Sequence, residues 1–85
     1  MKYEITVLRT AVKAVEKLPG EVQDRVIEAI AELAETPRPA GAKKLIARDA
    51  LRVRVGDYRI IYEVDDESKT VHVVVVSHRK DAYRP

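Results

Sequence analysis

The sequence contains no cysteine and only two histidines. Without cysteine there is no disulfide and no thiolate metal site. His72 and His78 are six residues apart on one segment, and no carboxylate pair stands at metal-ligand spacing. We therefore expect chemistry that needs neither a metal nor another cofactor.

Two further absences narrow the class of protein. No apolar run is of membrane-spanning length, and no signal-peptide pattern appears at the N-terminus. Neither the phosphate-binding pattern GxxxxGK[ST] nor the nucleophile pattern GxSxG occurs. We expect a cytoplasmic protein that does not contact a membrane and is not one of the enzymes that these motifs identify.

The 85 residues predict one domain, residues 1–85, with a single core and any active site on an open face. The net charge is only +2, but residues 38–59 hold seven Lys or Arg against Asp49 and Asp57. Such asymmetry is typical of an anion-binding or nucleic-acid-binding face, although a basic loop is also a common way to remain soluble.

Periodicity predicts the order β-α-α-β-β-β. Alternation indicates a strand over about residues 2–8, and helical spacing indicates a short helix from Thr10, its expected N-cap, followed by a second helix from about Glu21 to Glu35. The segment "TPRPAGAKKLIARDA" is predicted to be a basic loop, and the valines of "TVHVVVVSH" indicate a central strand. The predicted fold is α+β, a helix hairpin packed on one face of a small, mainly antiparallel sheet that the first strand joins. The residues expected to be largely buried are Val15, Val26, Ile30, Leu33, Val53, Ile60 and Tyr62.

The segment "LRVRVGDYRIIYEV", residues 51–64, predicts a hairpin with three arginines on one face. If Gly56 and Asp57 form a type II′ turn, Arg54 faces Arg59 across the strands, and Arg52 emerges on the same side. The apolar residues emerge on the other side, against the helices. Directly opposed arginines repel, so the pattern indicates either an anion site or a solvated face that prevents edge aggregation.

The register of the last strand decides whether a fourth arginine joins this face. Pairing Val64 with Thr70 would place one set of side chains on the arginine side and His78 on the other side. The side chains expected on the arginine side are Val71, Val73, Val75, Ser77 and Arg79. A loop of about five residues permits bulges, and one slip would move Arg79 to the other face.

The segments "RVRVGDYRIIYEVDD" and "SHRKDAYR" resemble the RelE branch of the RelE/ParE toxin superfamily, and the similarity covers nearly the whole chain. The resemblance implies the toxin of a type II toxin–antitoxin pair. Such a toxin is a ribosome-dependent endoribonuclease that cuts messenger RNA in the ribosomal A site by attack of the 2′-hydroxyl. The implied partners are the ribosome, mRNA and a cognate antitoxin that forms a hetero-oligomer with the toxin and inhibits it.

Residue by residue, the resemblance implies catalytic roles for Arg54, Arg59, Arg79 and Tyr83. Arg52 would position the RNA backbone, and we expect Lys43, Lys44 and Arg48 of the basic loop to bind RNA as well. Tyr83 would position a base by stacking. In typical members lysines serve at some of the positions that Arg52 and Arg54 occupy here, and arginine is a poor general base. His78 is therefore a candidate acid or base, and equally an ordinary residue at a strand end.

Two other readings remain open from the sequence. A ParE-type toxin shares the fold but inhibits DNA gyrase by binding, and an inactive relative would only bind an antitoxin or nucleic acid. We expect the antitoxin to wrap the domain as an extended or helical segment that covers the arginine face or displaces the Tyr83 tail.

Overall fold

The computed structural model describes residues 2–46 and 48–78 of the 85-residue chain. The elements are β1 (Glu4–Val7), α1 (Arg9–Glu16), α2 (Gly20–Glu32), β2 (Lys43–Lys44), β3 (Leu51–Val55), β4 (Tyr58–Asp65) and β5 (Thr70–His78). The strands form one sheet in the order β1-β5-β4-β3-β2, in which β1 is parallel to β5 and all other pairs are antiparallel. The predicted α+β fold is confirmed. In the described part of the chain, no helix has the length and apolar character to span a membrane.

The core lies between the helix hairpin and one face of the sheet. The helices contribute Val15, Val26, Ile30 and Leu33, and the sheet contributes Ile60 and Tyr62, both 0% exposed. These six were expected in the core, and their burial is confirmed. Val53, the seventh, is only half-buried because it lies on β3 near the edge of the sheet.

The first helix begins earlier than its sequence predicts. Leu8 is the N-cap residue, and no side chain caps the helix, so the prediction of Thr10 as N-cap was wrong. The Leu8 amide donates to the Val73 carbonyl at 2.8 Å, and the Leu8 carbonyl accepts from the Val12 amide at 2.9 Å. A single residue therefore ends the hydrogen bonding of β1 and begins the helix, which leaves no room for a separate cap.

The second helix ends at Glu32, three residues before the predicted end at Glu35. The Leu33 amide bonds to the Ile30 carbonyl at 3.0 Å, a spacing of three residues that indicates a tightened last turn. The Ala34 carbonyl then accepts a hydrogen bond from the Tyr3 amide at 2.8 Å. The helix ends here because the Ala34 carbonyl bonds to the backbone of the segment at β1 instead of to a further turn of the helix.

The basic loop contains a short strand, Lys43–Lys44, that its sequence does not predict. Lys43 and Lys44 pair with Arg52 and Leu51, so the hairpin gains a short outer strand. The Leu45 amide bonds to the Ala50 carbonyl at 2.9 Å, which continues the same ladder. Two residues are too few to show a period, and the prediction of a loop was wrong for Lys43 and Lys44.

The loop before β2 is fastened to the sheet by side chains. Arg38 donates to both carboxylate oxygens of Asp66 at 3.2 and 3.0 Å, and the Tyr3 hydroxyl donates to the same group at 2.6 Å. These donors lower the pKa of Asp66 to about 2. The buried Tyr62 hydroxyl donates to the Pro37 carbonyl at 2.7 Å. The position of β2 therefore follows from contacts made several residues earlier.

The predicted register of the last strand was wrong by one residue at the turn. Val64 pairs with Val71, and not with Thr70, so Val71 and Val73 point to the helices and are 0% and 1% exposed. A bulge opposite Ile61 and Tyr62 then shifts the pairing by one residue. Past the bulge, Val75 and Ser77 lie on the arginine side, as predicted, because the one-residue shift at the bulge compensates for the one-residue error at the turn.

Candidate functional site

The hairpin has the predicted register. Val55 pairs with Tyr58, and Arg54 is directly opposite Arg59. Gly56 has φ 59°, and Asp57 is not among the described residues with positive φ, which is the type II′ pattern. The glycine is needed because an L side chain is strained at this φ. The turn therefore fixes which side chains share a face.

Four basic side chains lie together on the face of the sheet that points away from the helices, which we call the open face. Paired residues of neighbouring strands project to the same side, so Lys43 joins Arg52 and Arg54 joins Arg59. We call these four residues the basic cluster. The residues of each pair are directly opposed, with Cβ atoms roughly 4.5–5.5 Å apart. The sheet thus carries two opposed pairs of like charge, and the direct interaction within each pair is repulsive.

The members of the basic cluster differ in their exposure. Arg59 is 8% exposed, Arg52 is half-buried, and Arg54 is exposed. A charge that is shielded from water interacts more strongly with a bound anion, since the effective dielectric constant around it is lower. Arg59 pairs with Ser77 on β5, so the row Arg54, Arg59, Ser77 crosses three strands of the open face.

The other end of the open face is acidic. Glu63 pairs with His72, and His72 is 2.6 Å from the Thr6 hydroxyl through its Nδ1 atom. Arg48 donates to Glu63 at 2.9 Å. Arg48, which we expected among the RNA-binding residues, therefore lies away from the basic cluster with its charge bonded to a carboxylate, and its role in RNA binding stays a prediction. The bulge brings His72 to this face, and nothing in the sequence marks the bulge.

Lys44 does not join the basic cluster either. It pairs with Leu51, whose side chain belongs to the face of the helices. There it lines a depression together with Asp49 and Asp66. Of the two lysines of β2, Lys43 therefore projects to the open face and Lys44 to the face of the helices, since neighbouring residues of a strand project to opposite sides.

His78 lies on the face of the helices. It pairs with Tyr58, and the two rings meet edge to face with centroids 5.2 Å apart. His78 is thus on the opposite side of the sheet from the basic cluster, and the role of acid or base considered for it stays a prediction. Arg79 and Tyr83, the other two residues singled out in the sequence, lie outside the described residues.

The open face has the chemistry of a phosphodiester site. Guanidinium groups bind phosphate oxygens in a bidentate manner and stabilise negative charge that develops on them. Within residues 2–46 and 48–78, no group of three or more His, Asp or Glu side chains is arranged to hold a metal ion. The site can hold a phosphate and stabilise its charge, whereas an obvious proton acceptor is missing from the described residues of the basic cluster.

Comparisons with known proteins agree with this fold and surface. Residues 5–83 match the family described as the ParE toxin of the type II toxin–antitoxin system parDE. Toxin RelG of Mycobacterium tuberculosis is 35% identical over 88 aligned positions that cover 99% of both chains. Toxin RelE of the same organism is 26% identical and covers 96% of this chain and 87% of its own length.

Solved structures of two toxin–antitoxin complexes contain chains with a similar fold. The toxin–antitoxin complex RelBE2 of M. tuberculosis contains a chain with a TM-score of 0.81 and 32% identity, and the match covers 93% of this chain and 100% of that one. The archaeal RelE–RelB complex of Pyrococcus horikoshii contains a chain with a TM-score of 0.80 and 28% identity, over 93% of this chain and 97% of that one. The family match and the similarity to RelG show that the chain is a toxin of a type II toxin–antitoxin system. The chain belongs to the RelE/ParE superfamily, and it is a RelE-type member.

Proposed function

We propose that the chain is an endoribonuclease that cleaves messenger RNA on the ribosome. The observation that carries the proposal is the two opposed pairs of like charge, Arg54 with Arg59 and Lys43 with Arg52, on one open face. The charges of each pair repel one another directly, and a bound polyanion would relieve that repulsion. An array of this kind is expected on a surface that binds the RNA backbone.

The proposed reaction is an internal transfer at phosphorus. The 2′-oxygen forms a bond to the adjacent phosphorus, the bond from phosphorus to the 5′-oxygen breaks, and the products are a 2′,3′-cyclic phosphate and a 5′-hydroxyl. One proton leaves the 2′-hydroxyl, and one is taken up by the 5′-oxygen. The electron pairs balance without an oxidant, a reductant or a metal.

In this reaction the basic cluster would stabilise charge. Arg59, nearly closed off from water, would contact the non-bridging oxygens of the scissile phosphate, with Arg54 beside it. Arg52 and Lys43 would hold the RNA backbone on the flanking strands. The resemblance adds Arg79 as a second contact to the phosphate and Tyr83 as a stacking platform for a base. Arginine exchanges protons poorly, so the ribosome or the RNA would supply the proton acceptor.

The proposed partner in the cell is an antitoxin that keeps the toxin inactive in the cytoplasm. Relatives with 28–32% identity have been solved as toxin–antitoxin complexes of M. tuberculosis and P. horikoshii. A bound antitoxin with acidic side chains would neutralise the basic cluster, and apolar side chains would supply most of the affinity.

The alternative function is inhibition of DNA gyrase, because the matching family is described as the ParE toxin of parDE. The two functions differ in what is bound and in whether a bond is broken. Primer extension on translating ribosomes, with purified wild-type protein, should show new 5′ ends at defined positions within codons. A supercoiling assay with purified gyrase should show no inhibition by the same preparation. Inhibited gyrase together with intact mRNA would reverse the assignment.

A further inference from the structure

The hydroxyl of Ser77 is buried in the sheet, and no other group among the described residues bonds to it. Its Oγ atom is closed off from water and neither donates nor accepts a hydrogen bond there. Nearly all buried polar side-chain atoms in proteins are paired, because a buried hydroxyl without a partner lowers the stability of the fold. Ser77 lies within β5, where valine would suit the strand and avoid this cost. The hydroxyl therefore needs an explanation other than folding.

The neighbour of Ser77 across the strands is Arg59. The two residues are directly opposed on the open face, with Cβ atoms roughly 4.5–5.5 Å apart. Arg59 is 8% exposed, so its side chain packs along the sheet and does not extend into water. An arginine side chain is long enough to span the distance between adjacent strands. The guanidinium of Arg59 can therefore reach the hydroxyl of Ser77.

The hydrogen-bonding capacities of these two side chains are complementary. A guanidinium has five N–H donors and no acceptor, whereas a hydroxyl has two acceptor lone pairs. When the two terminal nitrogens of Arg59 hold phosphate oxygens in a bidentate contact, the remaining Nε–H needs an acceptor of its own. Of the two residues that pair with Arg59, Arg54 offers donors only, and Ser77 offers an acceptor. Ser77 is therefore placed to accept from the Nε–H.

We propose that Ser77 is a positioning residue whose Oγ accepts a hydrogen bond from the Nε–H of Arg59 when the guanidinium binds the phosphate. The inference rests on the proposed RNA cleavage and adds to it a residue that acts through Arg59 without touching the RNA. A guanidinium that is held by this bond loses less freedom when it contacts the transition state, so it stabilises the developing charge more effectively. The hydroxyl that is unpaired among the described residues gains its partner when phosphate binds.

The first test compares Ser77→Thr with Ser77→Val, because the two side chains have the same shape and only threonine carries the hydroxyl. Ser77→Val should unfold at a temperature about 4 °C or more above that of Ser77→Thr, since it buries no unpaired hydroxyl. At saturating ribosomes Ser77→Val should cleave mRNA about tenfold more slowly than Ser77→Thr, the equivalent of one lost hydrogen bond. The ribosome concentration at half-maximal rate should differ by less than about twofold between the two variants. Equal cleavage rates, or a valine variant that loses rate and stability together, would overturn the proposal.

A double-mutant cycle tests whether the hydroxyl acts through Arg59. In an Arg59→Ala background there is no guanidinium for the hydroxyl to hold. The threonine and valine variants at position 77 should then cleave at the same residual rate, within about twofold. If the difference of about tenfold persists without Arg59, the hydroxyl acts on the RNA or on another group, and the proposal is wrong.

A readout without ribosomes separates this proposal from the nuclease proposal. The full chain is titrated with inorganic phosphate, and NMR follows the Nε–H of Arg59, whose signal is identified by its absence in Arg59→Ala. Phosphate should slow the exchange of this proton with water in the wild type and in Ser77→Thr, and at least about fivefold less in Ser77→Val. Equal protection in the two variants, or no protection in the wild type, would overturn the proposal. A wild type that leaves mRNA intact would refute the nuclease proposal, and the Nε–H signal would still decide the role of Ser77.

Discussion

Replacing Arg54 by threonine should stabilise the fold. Arg54 and Arg59 are directly opposed, so their charged groups can be placed about 6 Å apart. Two unit charges at that distance repel by about 0.7 kcal/mol in water and by about 2.8 kcal/mol at an effective dielectric constant of about 20. Arg54 is exposed, and screening at physiological salt roughly halves the repulsion. We expect the free energy of unfolding to rise by about 0.3–1 kcal/mol.

Urea denaturation measures this change, and thermal unfolding should show an increase of about 2–6 °C in midpoint for a domain of this size. Arg54→Lys is the matched control, because it keeps the charge and should leave stability almost unchanged. The gain from threonine should shrink in about 1 M salt, where the screening length falls to about 3 Å. A loss of stability in Arg54→Thr, or a gain that is the same at all salt concentrations, would refute the claim that these two charges repel.

Three further predictions concern the core, the loop and the RNA-binding face. Ile30→Ala should lower the free energy of unfolding, measured by urea denaturation, by about 2–5 kcal/mol. Ile27→Ala, on the exposed side of the same helix, should lower it by well under about 1 kcal/mol, and similar losses in the two variants would mean that the helix faces are assigned wrongly. The folded pKa of Asp66 is lowered to about 2, so its contribution to stability is complete above the ordinary aspartate pKa near 4 and is lost as the pH falls toward 2. The midpoint difference between wild type and Asp66→Asn should therefore shrink as the pH falls from about 4 through about 2, and a constant difference would contradict the bond to Arg38. Arg52→Ala should raise the enzyme concentration needed for cleavage and reduce the salt dependence of RNA binding, because a contact to the RNA backbone is lost. The cleavage rate at saturation should not fall, and a lower rate at saturation would place Arg52 at the scissile phosphate.

The fold and the hairpin were predictable because each follows from strong local signals. The glycine of the type II′ turn fixed the pairing of Arg54 with Arg59, and alternation then assigned the two faces. The core residues of the helices followed from their spacing. These features depend on residues that are close in sequence, so the pattern alone contains the necessary information.

The features that were missed depend on contacts between distant residues. The pairing of β1 with β5 and the start of α1 at Arg9 are set by the bond between Leu8 and Val73. The bulge in β5 moved His72 to the open face, and a run of valines gives no sign of where a bulge falls. Lys43 and Lys44 looked equivalent in sequence, yet pairing with β3 sends them to opposite faces.

The central claim is that the basic cluster cleaves RNA, and the most direct test is the single-turnover rate of mRNA cleavage at saturating ribosomes for Arg59→Ala. Loss of one contact to the transition state should lower this rate by a factor of about 10² to 10³. Arg48→Ala, which removes a surface arginine bound to Glu63, is the matched control and should stay within about threefold of wild type. Circular dichroism and the unfolding midpoint of each variant confirm that the fold is intact. The account predicts a large loss for Arg59→Ala alone, and an unchanged rate in a folded Arg59→Ala protein would contradict it.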